Sequence, residues 1–405
     1  MKSKSFRFLW IGDSFANLGD VLYIVGLITI LYEITSSAFY LALLPFFNTF
    51  GRFIGSTLAP LLFDKYRLKT ILVGSQLNKT FILFVLCCLI TFTKSHSLWL
   101  ILFMILIIAF LDGWSMPASM SLLPRLVQKD EIVQANSFVA VIDQTIQLGA
   151  WAVGGVLVVL LGGQNVVWLT FTLFVCSTCL LHRINDDTPI KTKDAETTKL
   201  QAMKEGWILI WKKPLYRLIH LLISFEAIAN VVWIAAILYV FVTEILQKSE
   251  AWWGYINTAF FIGMILGGIA CSRYAKHIEK HLRLTMLITS ALVSVIAFSF
   301  GFNPIAWISL LLVAFNGVVQ QVKGITIEVY LQREATPYEL PKIYGAQSAL
   351  ISLMFGVSTL AFGAIADFLS VQIAFLVSGT LLAIGAGYVY FYRGVFPKGY
   401  FGHQK

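Results

Sequence analysis

The sequence predicts an all-α integral membrane protein, with twelve transmembrane helices in two pseudo-symmetric six-helix bundles. Three observations lead there. Hydrophobic residues make up 58% of the 405 and charged residues only 13%, whereas a soluble domain carries about 25% charged; too little polar surface exists to keep the apolar side chains from water. A bilayer core of about 30 Å takes roughly 20 apolar residues per helix, and twelve spans allow about 34 residues for each helix with its loop. The third observation is where the cations fall, since the formal net charge of +9 and the pI near 9.2 gather in particular loops. Composition excludes an ordinary soluble enzyme, and a positive balance distributed in this way reports topology and not a nucleic-acid surface.

In chain order the spans are read at 8–32, 39–62, 71–93, 98–121, 134–161, 165–181, 214–242, 252–271, 284–300, 305–331, 343–366 and 371–392. The start, Met1 to Arg7 ahead of an apolar run, has the outline of a signal peptide. Asp13, Asn17 and Asp20 interrupt that run, it is too long for an h-region, and no small-residue cleavage site follows. It is therefore read as an uncleaved first helix. The seventh and tenth spans are the least regular, because both carry polar residues at mid-span.

Of the thirty Lys and Arg, twenty-five fall in 1–7, 63–70, 122–133, 182–217, 272–284, 332–342 and 393–405, the segments on one side of an even-span chain. The opposite loops hold two, Lys94 and Lys248, and the remaining three, Arg52, Lys79 and Lys323, lie within spans. The positive-inside rule then places both termini in the cytoplasm of a cell-membrane protein. An odd helix count would scramble this division.

The one long polar stretch, 182–213, separates 1–181 from 214–405, six spans from six. It reads as a cytoplasmic linker, with Leu200 to Trp211 suited to a short amphipathic helix. The halves repeat at an offset of 208: Asp64-Lys65 falls on Ser272-Arg273, Arg125 on Arg333, and Asp130-Glu131-Ile132 on Tyr338-Glu339-Leu340. Parallel six-span repeats of this kind, each three plus three, are an architecture of major facilitator transporters.

The sequence also resembles one branch of that superfamily. Leu18-Gly19-Asp20, the run Leu31-Tyr32-Glu33-Ile34-Thr35-Ser36-Ser37-Ala38, Pro117 to Leu126, Gln134-Ala135-Asn136-Ser137 and Glu205-Gly206-Trp207 are similar to motifs of the macrolide-efflux and enterobactin-exporter branch. The likeness covers essentially the whole chain. It implies the major facilitator fold, an exporter, and a cavity surrounded by spans one, two, four, five, seven, eight, ten and eleven. It also implies an inner latch in the loop after span two, carried here by Asp64, Lys65 and Arg67 with Arg125. The superfamily pattern G-x-x-x-D-R-x-G-R-K reads here from Pro60 to Lys69; the acid and the basic cluster remain and both glycines are gone. In the second half Gly268 and Arg273 remain, with Ser272 at the acid's place.

An ionisable side chain in mid-bilayer is expensive, so each is a functional candidate unless it snorkels to the interface. Within spans lie the acids Asp20, Asp112, Asp143, Glu226 and Glu328 and the bases Arg52, Lys79 and Lys323. Three bases neutralise at most three of five acids. Helical phase sorts the polar residues into stripes: Asp13, Asn17 and Asp20; Asn48, Arg52 and Ser56; Asp143 and Gln147; Glu226, Asn230 and Trp233; Asn316, Gln320 and Lys323; Gln321 and Glu328. The proton carriers are expected among Asp20, Asp143, Glu226 and Glu328. The substrate contacts are expected among Asn17, Asp20, Arg52, Asp112, Asp143, Gln147, Glu226, Asn230, Trp233, Gln320 and Lys323. Duller readings stand beside these: a structural Asp20–Arg52 pair, Asp112 bonding backbone freed by Gly113 and Pro117, and a snorkelling Lys79. The glycines Gly51 and Gly55, Gly263, Gly267 and Gly268, and Gly149, Gly154 and Gly155 recur at close-packing intervals.

No G-x-x-x-x-G-K-S/T phosphate loop occurs, and the C-x-x-C of Cys176 and Cys179 lies inside a span with no second pair. No catalytic triad, metal site or cofactor site is expected, so the chain is read as no enzyme. The sequence therefore points to a monomeric proton-coupled exporter of a small polar molecule, siderophore or metallophore in type, working in the lipid bilayer. A multidrug or macrolide pump is the alternative, and a non-transporting membrane sensor or partner subunit a remote one.

Overall fold

The structure is a computed structural model that describes residues 3–35, 38–92, 98–186 and 199–400. Ser36, Ser37, Lys94 and residues 187–198 of the polar linker lie outside the described residues. The helices are α1 (Lys4–Thr35), α2 (Ala38–Leu58), α3 (Pro60–Phe63), α4 (Leu68–Phe92), α5 (Leu98–Leu126), α6 (Ile132–Leu161), α7 (Gly163–His182), α8 (Lys199–Lys212), α9 (Pro214–Ala229), α10 (Ala235–Val240), α11 (Ala251–Arg273), α12 (Ala275–Lys280), α13 (Leu282–Gly301), α14 (Ala306–Glu334), α15 (Leu340–Phe368) and α16 (Val371–Phe391). Among the described residues, eleven helical segments are long and apolar enough to cross a membrane. α2, at 21 residues, supplies a twelfth.

The repeat seen in the sequence is also a repeat of packing. α1 lies against α7, α2 against α5, and α4 against both α5 and α7; six spans later α9 lies against α16, α11 against α14, and α13 against both α14 and α16. Residues 1–129, 145–208 and 335–352 form one compact unit, and 130–144, 209–334 and 353–405 the other. Each unit thus takes in the opening segment of the fifth span of the other half. The equivalence holds at single residues. A Cβ on Gly268 would touch the Ser137 carbonyl in the second unit at 3.4 Å, and a Cβ on Gly345 would touch Pro60 in the first at 3.8 Å; both pairs keep the offset of 208.

Glycine sets the helix spacing that the site needs. A Cβ on Gly55 would collide with the Phe110 carbonyl oxygen, and one on Gly263 with the Ala314 carbonyl oxygen. On the facing helix of the first unit a Cβ on Gly113 would lie 2.8 Å from the Arg52 carbonyl. Backbone meets backbone at these points, as close helix pairs in lipid require. Gly149 and Gly155 do not fit that reading, since nothing lies within 4 Å of a Cβ at either.

Two spans are less regular than expected. The second is interrupted at Ala59, because Pro60 opens α3 and cannot donate into the preceding turn. The seventh is not one helix over 214–242: α9 passes into a 3-10 turn at Asn230–Trp233, Ile234 is extended (φ −68°, ψ 155°), and α10 is followed by a π turn at Phe241–Ile245. Val231, Val232 and Ile234 are β-branched and resist helix. Packing holds the irregular backbone in place, with Trp233 edge-on to Phe300 at 4.7 Å and to Phe375 at 5.3 Å. The predicted linker helix is present as α8.

Gly55→Ala and Gly263→Ala are expected to lower the apparent melting temperature of detergent-purified protein by several degrees, since forced backbone separation costs about 1–3 kcal/mol. Gly149→Ala and Gly155→Ala are expected to leave it unchanged or raise it slightly, alanine being the better helix former by about 0.8–1 kcal/mol.

Candidate functional site

In the first unit four helices bring four charges together. The close approach of α2 and α5 at Gly113 places Asp112 beside Arg52, and α4 carries Lys79 between α1 and α5. The Lys79 ammonium donates to Asp20 Oδ1 and Oδ2 at 3.0 and 3.1 Å and to Asp112 Oδ1 at 2.5 Å. Arg52 Nη2 lies 3.6 Å from Asp112 Oδ2, and that oxygen receives no hydrogen bond. Two carboxylates and two cations make a neutral set. At an effective dielectric constant of about 20, a contact of 3 Å is worth roughly 5 kcal/mol before desolvation is charged against it.

These contacts correct three sequence readings. Lys79 does not snorkel: it is 1% exposed, held by two carboxylates and lying 4.8 Å from the centre of the Phe174 ring. The direct ion pair of Arg52 is with Asp112, while Asp20 is bonded by Lys79. Asp112 is occupied by side-chain cations, so its carboxylate is not spent on backbone freed by Gly113 and Pro117. The Arg52 side chain, 41% exposed, is the most exposed member of the set. One stripe further along α1, Asp13 accepts from Ser119 Oγ, and Asn17 is half-buried.

In the second unit the polar residues of α9 and α14 meet across the helix pair. Lys323 Nζ lies 2.5 Å from Glu226 Oε1, and Gln320 Nε2 donates to Asn230 Oδ1 at 3.1 Å. The first contact is ionic in character, because Glu226 Oε1 receives no well-directed hydrogen bond. Trp233 stands at the end of this row, in the aromatic cluster with Phe300 and Phe375. The three intramembrane bases therefore sit on three of the five acids. Asp143 and Gln147 on α6 and Glu328 on α14 are half-buried.

The loop residues expected to form a latch find partners the sequence did not suggest. Lys342, near the start of α15, binds Asp64 at 2.7 Å and Glu205 of α8 at 2.6 Å. Gly206 permits this, since a Cβ there would collide with the Lys342 carbonyl oxygen. Arg67 and Arg125 both turn to buried Asp186: Arg67 Nη1 donates to its carbonyl at 3.3 Å, and Arg125 Nη1 lies 3.9 Å from its carboxylate. Arg125 Nη2 also donates to the Pro337 carbonyl at 2.5 Å. Lys65 is exposed. The repeat explains the degraded signature of the second half: the counterparts of Asp64 and Lys342 are Ser272 and Gln134, so acid and base are both replaced by neutral residues. Among the described residues no group of three or more His, Cys, Asp or Glu is placed to hold a metal ion.

Long apolar helices in a twofold repeat, with charges paired inside them, describe a multi-pass membrane protein. The chain belongs to the major facilitator superfamily, whose family model matches residues 9–333. It is 28% identical over 391 residues to the uncharacterized MFS-type transporter YfmI of Bacillus subtilis (strain 168), covering 95% of this chain and 96% of that one. To YjbB of the same organism, also an uncharacterized MFS-type transporter, it is 27% identical over 384 residues, covering 94% and 93%. Among solved structures it is similar to a bacterial homologue of the iron transporter ferroportin in an outward-facing state, with TM-score 0.76, 13% identity and coverage of 96% and 99%. The E. coli fucose:proton symporter FucP matches with TM-score 0.72, 15% identity and coverage of 96% and 97%. At these identities the structures establish the shared fold.

Removing one partner of a buried pair is expected to cost about 3–5 kcal/mol. Glu226→Gln and Lys323→Met should therefore each lower thermal stability sharply. The reversed pair Glu226→Lys with Lys323→Glu should recover most of the loss, measured by thermal unfolding in detergent, and a reversed pair no better than the singles would remove the pairing.

Proposed function

We propose that this chain is a proton-coupled exporter of a small, polar, multiply charged organic molecule, siderophore or metallophore in type. In this reading it acts as a monomer of the macrolide-efflux and enterobactin-exporter branch, with both termini in the cytoplasm. Its working parts are the six-helix halves 1–181 and 214–405, joined by the linker 182–213. The observation that carries the reading is the pairing of opposite charges inside the spans, Asp20 and Asp112 on Lys79 and Glu226 on Lys323. A zwitterion can enter such a pair with its ammonium on the acid and its anionic group on the base, each pole replacing the partner it displaces. A lipophilic macrolide gains nothing from the second charge.

Export against proton entry requires substrate and proton to compete. A proton on Glu226 or Asp20 removes the site for an ammonium and so expels that pole; its loss restores the site. Asp143 and Glu328 are the other candidates for this exchange, and Arg52 and Lys323 the candidates for the anionic pole. One proton crossing a potential of about 150 mV releases about 3.5 kcal/mol, enough for a gradient of a few hundredfold in a neutral substrate. Asp64, Lys342 and Glu205, with Arg67 and Arg125 on Asp186, would then hold one inner conformation between turnovers.

Deletion of the gene should raise the cellular content of a metallophore under metal starvation. Export assays with Asp143→Asn, Glu226→Gln and Glu328→Gln should show loss of proton dependence in at least one. Unchanged proton-dependent transport in all three would overturn the coupling, and drug hypersensitivity without metallophore accumulation would favour the macrolide-type alternative.

A further inference from the structure

Two side-chain contacts join the seventh span to α14, and they follow the two segments in opposite chain directions. Lys323 meets Glu226, and three residues back along α14 Gln320 meets Asn230, four residues forward along the seventh span. Asn316 is the next residue of that stripe, four residues back from Gln320 on α14, and the seventh span leaves α-helical geometry at Asn230. Val313, one turn beyond Asn316, belongs to the apolar cluster of Val231 and Val232, with Trp233 packed against it. Asn316 thus lies on α14 between Gln320, which bonds Asn230, and Val313, which shares an apolar cluster with Val231 and Val232.

Asn316 is 1% exposed, and neither its Nδ2 nor its Oδ1 has a hydrogen-bond partner. Buried polar atoms are almost always satisfied, and an apolar side chain of the same shape would avoid the penalty of leaving them unmet. The neighbouring amide of Gln320 is already engaged by Asn230. What remains is one donor and one acceptor, side by side on a planar group, held beside an interruption of the helix. Non-helical backbone at membrane depth is a recurring place for ligand contact in transporters.

We propose that Asn316 is a specificity-determining residue that recognises a carboxamide of the substrate. A primary carboxamide or lactam presents a C=O and an N–H along one edge and satisfies both orphan atoms at once, the C=O accepting from Nδ2 and the N–H donating to Oδ1. A carboxylate offers acceptors alone and leaves Oδ1 unmet. Lys323 and Asn316 are seven residues apart on α14, so the charged pole and the carboxamide are separated by roughly 10 Å along the helix. This deepens the proposed substrate class and rests on it for the charged pole at Glu226 and Lys323. The molecule so described is an amino-acid-derived zwitterion whose side chain ends in an amide.

The test uses the purified full chain in lipid nanodiscs and two labelled probes, 2-aminosuberic acid 8-amide and its 8-methyl ketone. They differ only in the group offered to Asn316 Oδ1. The amide is expected to bind about tenfold or more tightly than the ketone, the factor that one unmet buried hydrogen-bonding group commands. Asn316→Leu is expected to bind both probes equally and to melt at a higher temperature than the wild type, so loss of discrimination is separated from loss of folding. Equal binding of the two probes by the wild type, retained preference in Asn316→Leu, or binding of neither probe at millimolar concentration would overturn the proposal. Proton coupling is judged apart from this, by transport in the carboxylate variants. Coupled export with no preference for the amide would leave the exporter standing and remove Asn316 from recognition.

Discussion

The first unit is organised around a lysine ammonium that has no water to reach. Lys79 lies fully inside the helices, and an unpaired ammonium there would cost several kcal/mol. Asp20 from α1 and Asp112 from α5 both come to it, Arg52 from α2 balances the second carboxylate, and the set closes as two acids and two bases. Four helices are thereby obliged to meet at one depth. The close approach at Gly113 is part of the same constraint, because without it α2 could not offer Arg52 to Asp112. Leucines of similar volume would hold four helices together as well or better.

The two halves share a scaffold and divide the chemistry. Helix pairing, the glycine contacts at 268 and 345 and the exchanged opening segments all follow the repeat. The charges do not. At the offset of 208, Asp112 corresponds to Gln320 and Lys79 to Leu287, while Glu226 corresponds to Leu18. The first unit carries a four-membered charge network, and the second pairs Glu226 with Lys323 beside a broken helix. The amide of Asn316, without a hydrogen-bond partner, lies in the second unit with the Glu226–Lys323 pair.

Much of the fold is legible in the sequence because the bilayer makes length and hydropathy decisive. The spans follow from apolar runs, and the repeat from three loops in one register. Breaks are harder to read. Nothing in Asn230-Val231-Val232-Trp233-Ile234 resembles a glycine or proline signal, and the interruption depends on where Trp233 packs in three dimensions. The site is partly legible. Phase along the helices finds Asp20, Glu226 and Lys323, and a charge within a span marks Asp112, but phase alone does not tell which stripes face one another, so Lys79 reads as an anchor at the interface. Lys342 and Asp186 escape a sequence reading for a related reason: each looks like an ordinary loop charge until the loops are brought together. Lys342 does carry one signal, since its repeat counterpart Gln134 is neutral where the counterpart of Asp64 is neutral too.

The shared ammonium can be tested without any knowledge of substrate. A double-mutant cycle of Lys79→Met and Asp112→Asn, read by thermal unfolding of the purified protein, measures the coupling between the two side chains directly. Contact at 2.5 Å inside the helices predicts a coupling of about 1–3 kcal/mol, with the double variant more stable than the sum of the singles implies. Additivity within about 0.3–0.5 kcal/mol would show that the two groups do not interact, and would contradict a first unit organised around the Lys79 ammonium.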